Sequence, residues 1–210
     1  MNRRADSAVE PSDISFRSPK GPPVPHEHAL AIIAAIDRFD TRVQAVAQDR
    51  WDNPTPCSEW SVRRLVNHLV SEHFWAPHIL AHESLAQVGD RYEGDLVGTD
   101  PAGVWKQAAQ VSREAWLSTD LSGTVELSFG TVPADIYAGQ MFVDLTVHEW
   151  DLARGSGQDE TLDPQAVGIC LGFARQHLAA FEGTGIFAPS IPTTSTDPTV
   201  QLMSLLGRAV

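Results

Sequence analysis

Asp144 and His148 are the two residues whose types and spacing most clearly suggest chemistry. They stand four positions apart in the run D-L-T-V-H, so on a helix they share one face, with Cβ atoms about 5–6 Å apart. Both side chains can then bind the same divalent ion. In the same helical projection Tyr137 and Met141 lie on this face, whereas Glu149 points elsewhere. The alternative for such a pair is a helix salt bridge or a hydrogen-bonded polar pair in the core.

A metal site needs a third ligand from another helix, because two ligands hold an ion poorly. The candidates are the remaining histidines: His26, His28, His68, His73, His78, His82 and His177. His68 lies at the edge of the apolar stripe of the predicted second helix, where it can point inward. His68, Asp144 and His148 would supply two nitrogens and one carboxylate oxygen, a catalytic type of set that leaves positions for water or substrate. His78 and His82, also four apart, are either a competing pair or surface residues.

The residues around this pattern have less distinctive interpretations. Asp151, one turn beyond the histidine of the pair, either accepts an imidazole N–H and fixes its tautomer or forms a salt bridge to Arg154 or an interhelical contact. Trp150 and Trp60 are interpreted as core aromatics. Cys57 is interpreted as structural, since its proline-rich surroundings offer no base or cation to lower the pKa of its thiol.

The hydrophobic spacing predicts the elements that must position these residues. Residues 1–24 are rich in proline and serine, which predicts a disordered leader before one helical domain at 25–210. The predicted elements are a helix from about His26 to Arg50, a rigid connector at 51–60, a helix from Val62 towards Gln87 with a kink at Pro77, a helix at 101–120 capped by Asp100, a hairpin within 123–133, a helix at 134–154, a helix opening at Asp163–Pro164 and a last helical turn at 200–207. This pattern predicts an all-α four-helix bundle with an extra C-terminal helix and a small β-hairpin.

Charge and composition exclude several classes of partner. The 210 residues include 27 acidic and 15 basic side chains, for a formal net charge of -12, which disfavours nucleic acid and anionic membranes. Residues 80–165 hold 15 acids and 4 bases, a net of -11 (4 minus 15), which we interpret mostly as solvated surface. Two cysteines, no secretory signal and no apolar run of about 20 residues indicate a cytoplasmic protein with reduced thiols.

Three segments resemble one known family. Residues 51–70 (W-D-N-P-T-P-C-S-E-W-S-V-R-R-L-V-N-H-L-V) are similar to the entry into the second helix of actinobacterial members of the DinB/YfiT-like superfamily. These members are related to the N-terminal domain of mycothiol-dependent maleylpyruvate isomerase. Residues 144–157 resemble the family's D-x-x-x-H-x-W-D-L-A signature and small-residue turn, and residues 201–208 its L-L-x-L-x-G-R tail. The resemblance covers roughly residues 26–208.

The resemblance implies a four-helix bundle that holds a divalent metal, usually zinc or nickel, at positions corresponding to His68, Asp144 and His148. The isomerase-type set has a glutamate where this chain has the shorter Asp144. The chain ends at Val210 without the isomerase's additional C-terminal domain, so we do not expect maleylpyruvate isomerisation to be its reaction.

The metal set and the resemblance together predict a thiol S-transferase, with mycothiol, or bacillithiol in another host, as cosubstrate and a small electrophile as acceptor. Tyr137 and Met141 would line its pocket. No general base is identifiable from the sequence. The alternatives are a metal-dependent hydrolase, which would need a basic group or Asp151 near the open position, and a non-catalytic metal- or ligand-binding bundle. A bundle that exposes one helical face is also compatible with a homodimer.

Overall fold

The computed structural model describes residues 27–58, 60–178 and 188–210. The predicted leader and His26 lie outside these residues. The elements are α1 Glu27–Gln44, a 3₁₀ turn Gln48–Arg50, α2 Val62–Leu80, α3 Leu85–Val88, α4 Pro101–Ser118, β1 Thr124–Leu127, β2 Gly130–Pro133, α5 Ala134–Ser156, α6 Pro164–His177 and α7 Pro198–Leu205. The described chain is therefore mostly helical with one small antiparallel hairpin, which confirms the predicted fold class. None of its helices is long and apolar enough to cross a membrane.

Aspartate–proline pairs start three of the helices. The side chains of Asp100, Asp163 and Asp197 each accept a hydrogen bond from a backbone N–H of the first helical turn, and proline follows each at the first helical position. The cap leaves fewer N–H groups unpaired, and proline is tolerated there because its missing N–H would have no helical partner. The capping aspartates predicted for α4 and α6 are thus confirmed.

Two helices end earlier than their hydrophobic spacing predicts. After α1 the N–H groups of Ala45 and Val46 bond the carbonyls three residues back, so the helix tightens and stops well before Arg50. The second helix was predicted to reach Gln87, but it ends at Leu80, one turn after Pro77, and His82 takes a positive φ of 58°. Residues 85–88 form the separate helix α3, which a capping box at Ser84 begins.

Four helices enclose the core in cyclic order. α1 packs on α4 and α5, and α2 packs on the other side of the same two helices. Trp105, Trp116 and Trp150 are fully buried among these helices, so the interpretation of Trp150 as a core aromatic is confirmed. α6 packs against α5 and α7. The observed packing is the four-helix bundle with a C-terminal addition that the sequence predicted.

A buried carboxylate ties α1 to α5. Glu149 is 3% exposed, and its two oxygens lie 3.2 Å from Arg38 Nε and 3.6 Å from Arg42 Nε. Burial raises the pKa of Glu149, while the two guanidiniums act in the opposite direction. Glu149 therefore faces α1 and away from Asp144 and His148, as its position on the helix predicted.

The connector before α2 lies directly on the end of α5. A Cβ atom on Gly155 would approach Thr55 Cγ2 to 2.9 Å, Val62 Cγ2 to 3.0 Å and the Pro54 carbonyl oxygen to 3.1 Å. Asn53 also donates a hydrogen bond to the Gly155 carbonyl. The start of α2 therefore meets the end of α5, so these two helices run antiparallel.

The C-terminal segment returns to the bundle through one buried ion pair. Arg208, 7% exposed, follows α7 and donates from Nη2 to Oδ2 of the fully buried Asp151 over 2.9 Å. It also donates to the Leu206 carbonyl. The tail is thus held against α5 by its ion pair with a carboxylate that is costly to bury without a partner.

The core contains one histidine that the sequence left as a candidate ligand. His73 is fully buried, its Nδ1 lies 2.7 Å from the Ser112 hydroxyl, and its ring packs edge-on to Trp105. Burial lowers the pKa of His73 to about 3. It is a neutral core residue of the α2–α4 contact.

This burial predicts an acid-sensitive core. Because His73 stays neutral in the folded chain while the unfolded chain binds a proton below about pH 6.5, the free energy of unfolding should fall by about 1.4 kcal/mol per pH unit below that pH. Urea unfolding of the wild type and His73→Gln between pH 7 and 4.5 should therefore show a shallower pH dependence in the variant. His82→Gln, at an exposed histidine, controls for the loss of an imidazole. Parallel curves for wild type and His73→Gln would refute the assignment.

The tail contact predicts a large effect from a residue close to the C-terminus. Arg208→Met leaves Asp151 buried beside a single partner and should lower the free energy of unfolding by about 3 kcal/mol. Arg50→Met, which removes the solvent-exposed pair with Asp49, should cost less than about 1 kcal/mol. Equal losses in chemical denaturation would show that the Arg208 pair is not structural.

Candidate metal centre

The structure brings the three predicted ligand residues together between α2 and α5. His68 Nε2 lies 3.4 Å from Asp144 Oδ2, and His148 Nε2 lies 3.3 Å from Asp144 Oδ1. One ligand atom from each of the three side chains falls within 4.8 Å of the others. His148 is 5% exposed, whereas the side chains of His68 and Asp144 are 27% and 28% exposed. The cluster therefore has a buried side against α5 and an open side towards solvent.

Asp151 fixes the orientation of the buried imidazole. Its Oδ2 lies 2.9 Å from His148 Nδ1 and also accepts the hydrogen bond from Arg208. A carboxylate at this distance accepts the Nδ1 proton, so Nε2 is the nitrogen that faces Asp144 and that a metal ion would bind after losing its proton. The alternative pairing with Arg154 does not occur, because Arg154 donates to Glu160 and to the Ala209 carbonyl. Asp151 thus accepts from the imidazole and also makes a buried contact between segments, with Arg208, so that only the predicted pairing with Arg154 is wrong.

Trp60 forms one wall of this cluster. Its ring centroid lies 4.7 Å from that of His68 and 5.6 Å from that of His148, with the latter pair stacked at 28°. The sequence interpretation of Trp60 as a core aromatic is therefore only partly right: it packs at the edge of the core and covers both imidazoles. The sequence signal for this role was the position of Trp60 directly before Ser61, the N-cap of α2.

The three side chains are strongly coupled electrostatically. Burial opposes ionisation of Asp144, but the two imidazoles outweigh it and hold the pKa of that carboxyl well below its usual range. Burial likewise acts to lower the pKa of His148, yet the Asp144 and Asp151 carboxylates raise it to about 9. The carboxylates of Asp144 and Asp151 and the imidazoles of His68 and His148 therefore form a site that stabilises positive charge, either protons on the imidazoles or a metal cation.

The donor set fits a divalent transition metal. Ligand atoms about 2.0–2.1 Å from a tetrahedral ion are about 3.3 Å apart. One ligand atom from each of the three side chains lies within 4.8 Å of the others, and the two imidazole nitrogens approach different oxygens of Asp144 at 3.4 and 3.3 Å. The second nitrogen of His148 is held by a carboxylate, as is usual for metal-bound histidines. His68, Asp144 and His148 could thus hold zinc or nickel with positions left open. Their role as ligands remains a prediction.

A cavity of about 660 Å³ opens over the cluster. α2, α5, the β1–β2 turn, the connector before α2 and the C-terminal segment form its walls, and Tyr137 and Met141 line it as the sequence predicted. Glu72, Gln140 and Arg208 line it as well, although sequence reasoning had named none of them as a site residue. The signal for the first two was spacing, since Glu72 follows His68 by four residues and Gln140 precedes Asp144 by four.

Cys57 also lines the cavity, at the end nearest Arg208. Its sulfur lies within 4.8 Å of ligand atoms of His148 and Asp151. Burial raises the pKa of this thiol, and the opposing effect of Arg208 is smaller. The expectation that no base or cation lies near Cys57 is therefore wrong, since Arg208 and His148 do, but burial outweighs Arg208 and keeps the thiol protonated.

The other described histidines lie away from the cluster. His78 contacts the Glu83 carboxylate and the Tyr92 hydroxyl at 3.0 and 2.9 Å, and His82 is exposed beyond the end of α2. These two do not form a competing metal pair among the described groups. His177 packs against Phe173 on α6.

Comparisons with known proteins place the chain in one family. The family model described as mycothiol maleylpyruvate isomerase N-terminal domain matches residues 32–153, more than half of the chain. Two Mycobacterium tuberculosis proteins, Uncharacterized protein MT0763 and Uncharacterized protein Rv0738, are each 33% identical to this chain over 180 residues, which cover 84% of this chain and 94% of the relative. No solved structure matches the chain.

The matched residues span α1 to α5 and include the three clustered side chains. The comparisons confirm the resemblance seen in the sequence motifs, and the chain belongs to the mycothiol maleylpyruvate isomerase N-terminal domain family, a DinB-like family.

Proposed function

We propose that this protein binds a divalent metal through His68, Asp144 and His148 and catalyses the transfer of a low-molecular-weight thiol to a small electrophile. The observation that carries the proposal is the cluster of two imidazoles and one carboxylate, with ligand atoms within 4.8 Å of one another, at a cavity of about 660 Å³. Zinc is the metal that this donor set favours, with nickel as the alternative. Membership of a mycothiol-related family supports mycothiol as the thiol, or bacillithiol in another host.

The residues of the chain prepare the site for such a reaction. Asp151 and Arg208 hold the His148 ring in one orientation, and Trp60 shields both imidazoles from solvent on one side. A bound divalent ion would supply Lewis acidity, which favours the thiolate form of a thiol at neutral pH. In the addition that we propose, the thiol S–H bond and the π bond of an activated alkene break, an S–C bond to one carbon forms and the proton ends on the other carbon. The cavity volume of about 660 Å³ lies within the range of small-molecule sites.

A metal-dependent hydrolase is the second candidate. That reaction needs a basic group beside the open position, and Asp151 does not serve, because it is fully buried and paired with His148 and Arg208. Glu72 instead presents a carboxylate to the cavity, and burial raises its pKa. This side chain is the one observation that favours hydrolysis. We also propose that the partner of this protein is a small molecule and that the protein is cytoplasmic. A homodimer is the alternative to a monomer.

The metal assignment predicts about one divalent ion per chain in protein purified without a histidine tag. His148→Ala, His68→Ala and Asp144→Asn should each remove most of the ion, and Asp151→Asn should weaken metal affinity by about 10–100-fold. Elemental analysis by mass spectrometry measures both effects. His78→Ala, which removes a hydrogen-bonded histidine outside the cluster, is the matched control. Unchanged metal content in His148→Ala would exclude the site.

The transferase assignment predicts thiol adducts. Incubation of the metal-loaded protein with mycothiol or bacillithiol and a panel of activated alkenes should produce conjugates by mass spectrometry, faster than without protein and not with His148→Ala. Cobalt-substituted protein should change its absorption spectrum when the thiol is added. Absence of both conjugates and a spectral change would leave the hydrolase or a non-catalytic binding bundle, which ester and amide substrates would then separate.

A further inference from the structure

The cavity contains a second polar group of residues, one or two helical turns beyond the metal cluster. Glu72 follows His68 on α2, and Gln140 and Tyr137 precede Asp144 on α5 by one and two turns. Because α2 and α5 run antiparallel, these three residues face one another on the same side of the cluster. Residues one turn apart on a helix are about 5–6 Å from each other. Cys57 and Arg208 line the opposite end of the cavity.

Two buried polar atoms of this group lack partners within the described residues. Tyr137 is 2% exposed, and its hydroxyl makes no hydrogen bond. The Gln140 Oε1 atom is also buried and unpaired. Buried polar atoms are nearly always hydrogen-bonded, so two unpaired atoms that line one cavity indicate that a ligand or water completes them. The ring of Tyr137 is itself fixed, because it stacks on the buried Trp116.

The charge at this end of the cavity selects the kind of ligand. The charged groups that act on Glu72 are His68, Asp144 and His148, and burial raises the pKa of Glu72. Arg208 is the only arginine or lysine among the described residues that line the cavity, and it lies at the other end, paired with Asp151. A carboxylate and an amide oxygen accept hydrogen bonds, and a tyrosine hydroxyl accepts or donates one. The unpaired Gln140 oxygen and an ionised Glu72 suit a donor and disfavour a carboxylate or phosphate.

We propose that Glu72, Tyr137 and Gln140 form a subsite for a hydrogen-bond-donating group, a hydroxyl or an ammonium, on the non-reacting part of a ligand that reaches the metal cluster. The subsite rests on the proposed function only in that the same ligand contacts both places. Trp75 and Phe129 line the cavity beside it and would cover the carbon atoms of the ligand. Specificity would then come from the acceptors, since a ligand without donors leaves the buried atoms unpaired.

Four three-carbon thiols test the subsite on metal-loaded protein: 1-propanethiol, 1-thioglycerol, 3-aminopropane-1-thiol and 3-mercaptopropionate. Isothermal titration calorimetry measures the four dissociation constants. We expect 1-thioglycerol, 3-aminopropane-1-thiol or both to bind about tenfold more tightly than 1-propanethiol, and 3-mercaptopropionate to bind more weakly. Equal affinity of the first three thiols, or tighter binding of the carboxylate, would overturn the proposal and indicate a merely hydrated pocket.

Variants separate the two donor chemistries. Tyr137→Phe, which keeps the stacked ring, should lose several-fold of the advantage of the donor-bearing thiols. Glu72→Gln keeps an acceptor oxygen but no charge, so it should abolish preference for the ammonium and retain preference for the hydroxyls; Glu72→Leu should abolish both. Tyr92→Phe, at the other tyrosine of the chain, is the matched control. Unchanged preferences in both Tyr137→Phe and Glu72→Leu would refute the subsite.

Cobalt-substituted protein separates failure of the subsite from failure of the proposed function. If 1-propanethiol changes the cobalt spectrum but the donor-bearing thiols show no preference, the metal chemistry stands and the subsite is wrong. If no thiol changes the spectrum, the proposed function is wrong, and titration with propylamine and glycerol tests the subsite alone. Binding of either compound that Tyr137→Phe weakens would support it, and no binding would overturn it.

Discussion

The fully buried Asp151 carboxylate is the interaction on which the candidate site depends. It contacts His148 on its own helix and Arg208 on the C-terminal tail, both at 2.9 Å. A buried acid needs such partners, because an unpaired charge in the interior is very costly. The same two contacts orient the imidazole and attach the tail to the bundle. The geometry of the cluster and the stability of the fold therefore share one charge balance, which explains why a residue far along the chain matters to the site.

The rest of the fold places the polar face of α2 opposite the polar face of α5. Gly155 allows the connector to lie on the end of α5, which brings the start of α2 beside it and sets the two helices antiparallel. His68 then meets Asp144 and His148, and the residues one turn further on meet in the same cavity. On the opposite side of α5, Glu149 holds α1 through two arginines. α5 thus carries acidic residues on two faces. Glu149 on one face binds α1, and Asp144 on the other face is open to a ligand.

Local patterns predicted much of this arrangement because local physics determines it. The spacing of Asp144 and His148 places both on one face of any helix, and the aspartate–proline caps at 100 and 163 start helices whatever packs around them. The stopping points of α1 and α2 were predicted less well, since they depend on the last turns of each helix rather than on hydrophobic spacing. Trp60 and Arg208 take part through contacts between distant segments, and a single sequence contains no periodic signal for such contacts.

The contact between Asp151 and Arg208 also bears on the order in which the protein folds. It joins residues 57 positions apart, and contacts of long sequence separation must overcome the entropy of closing a long loop. Helices can form and pair before that loop closes, with the His148 ring still free to turn. During refolding, helical content would return first, and the fixed imidazole would follow only once the tail had docked.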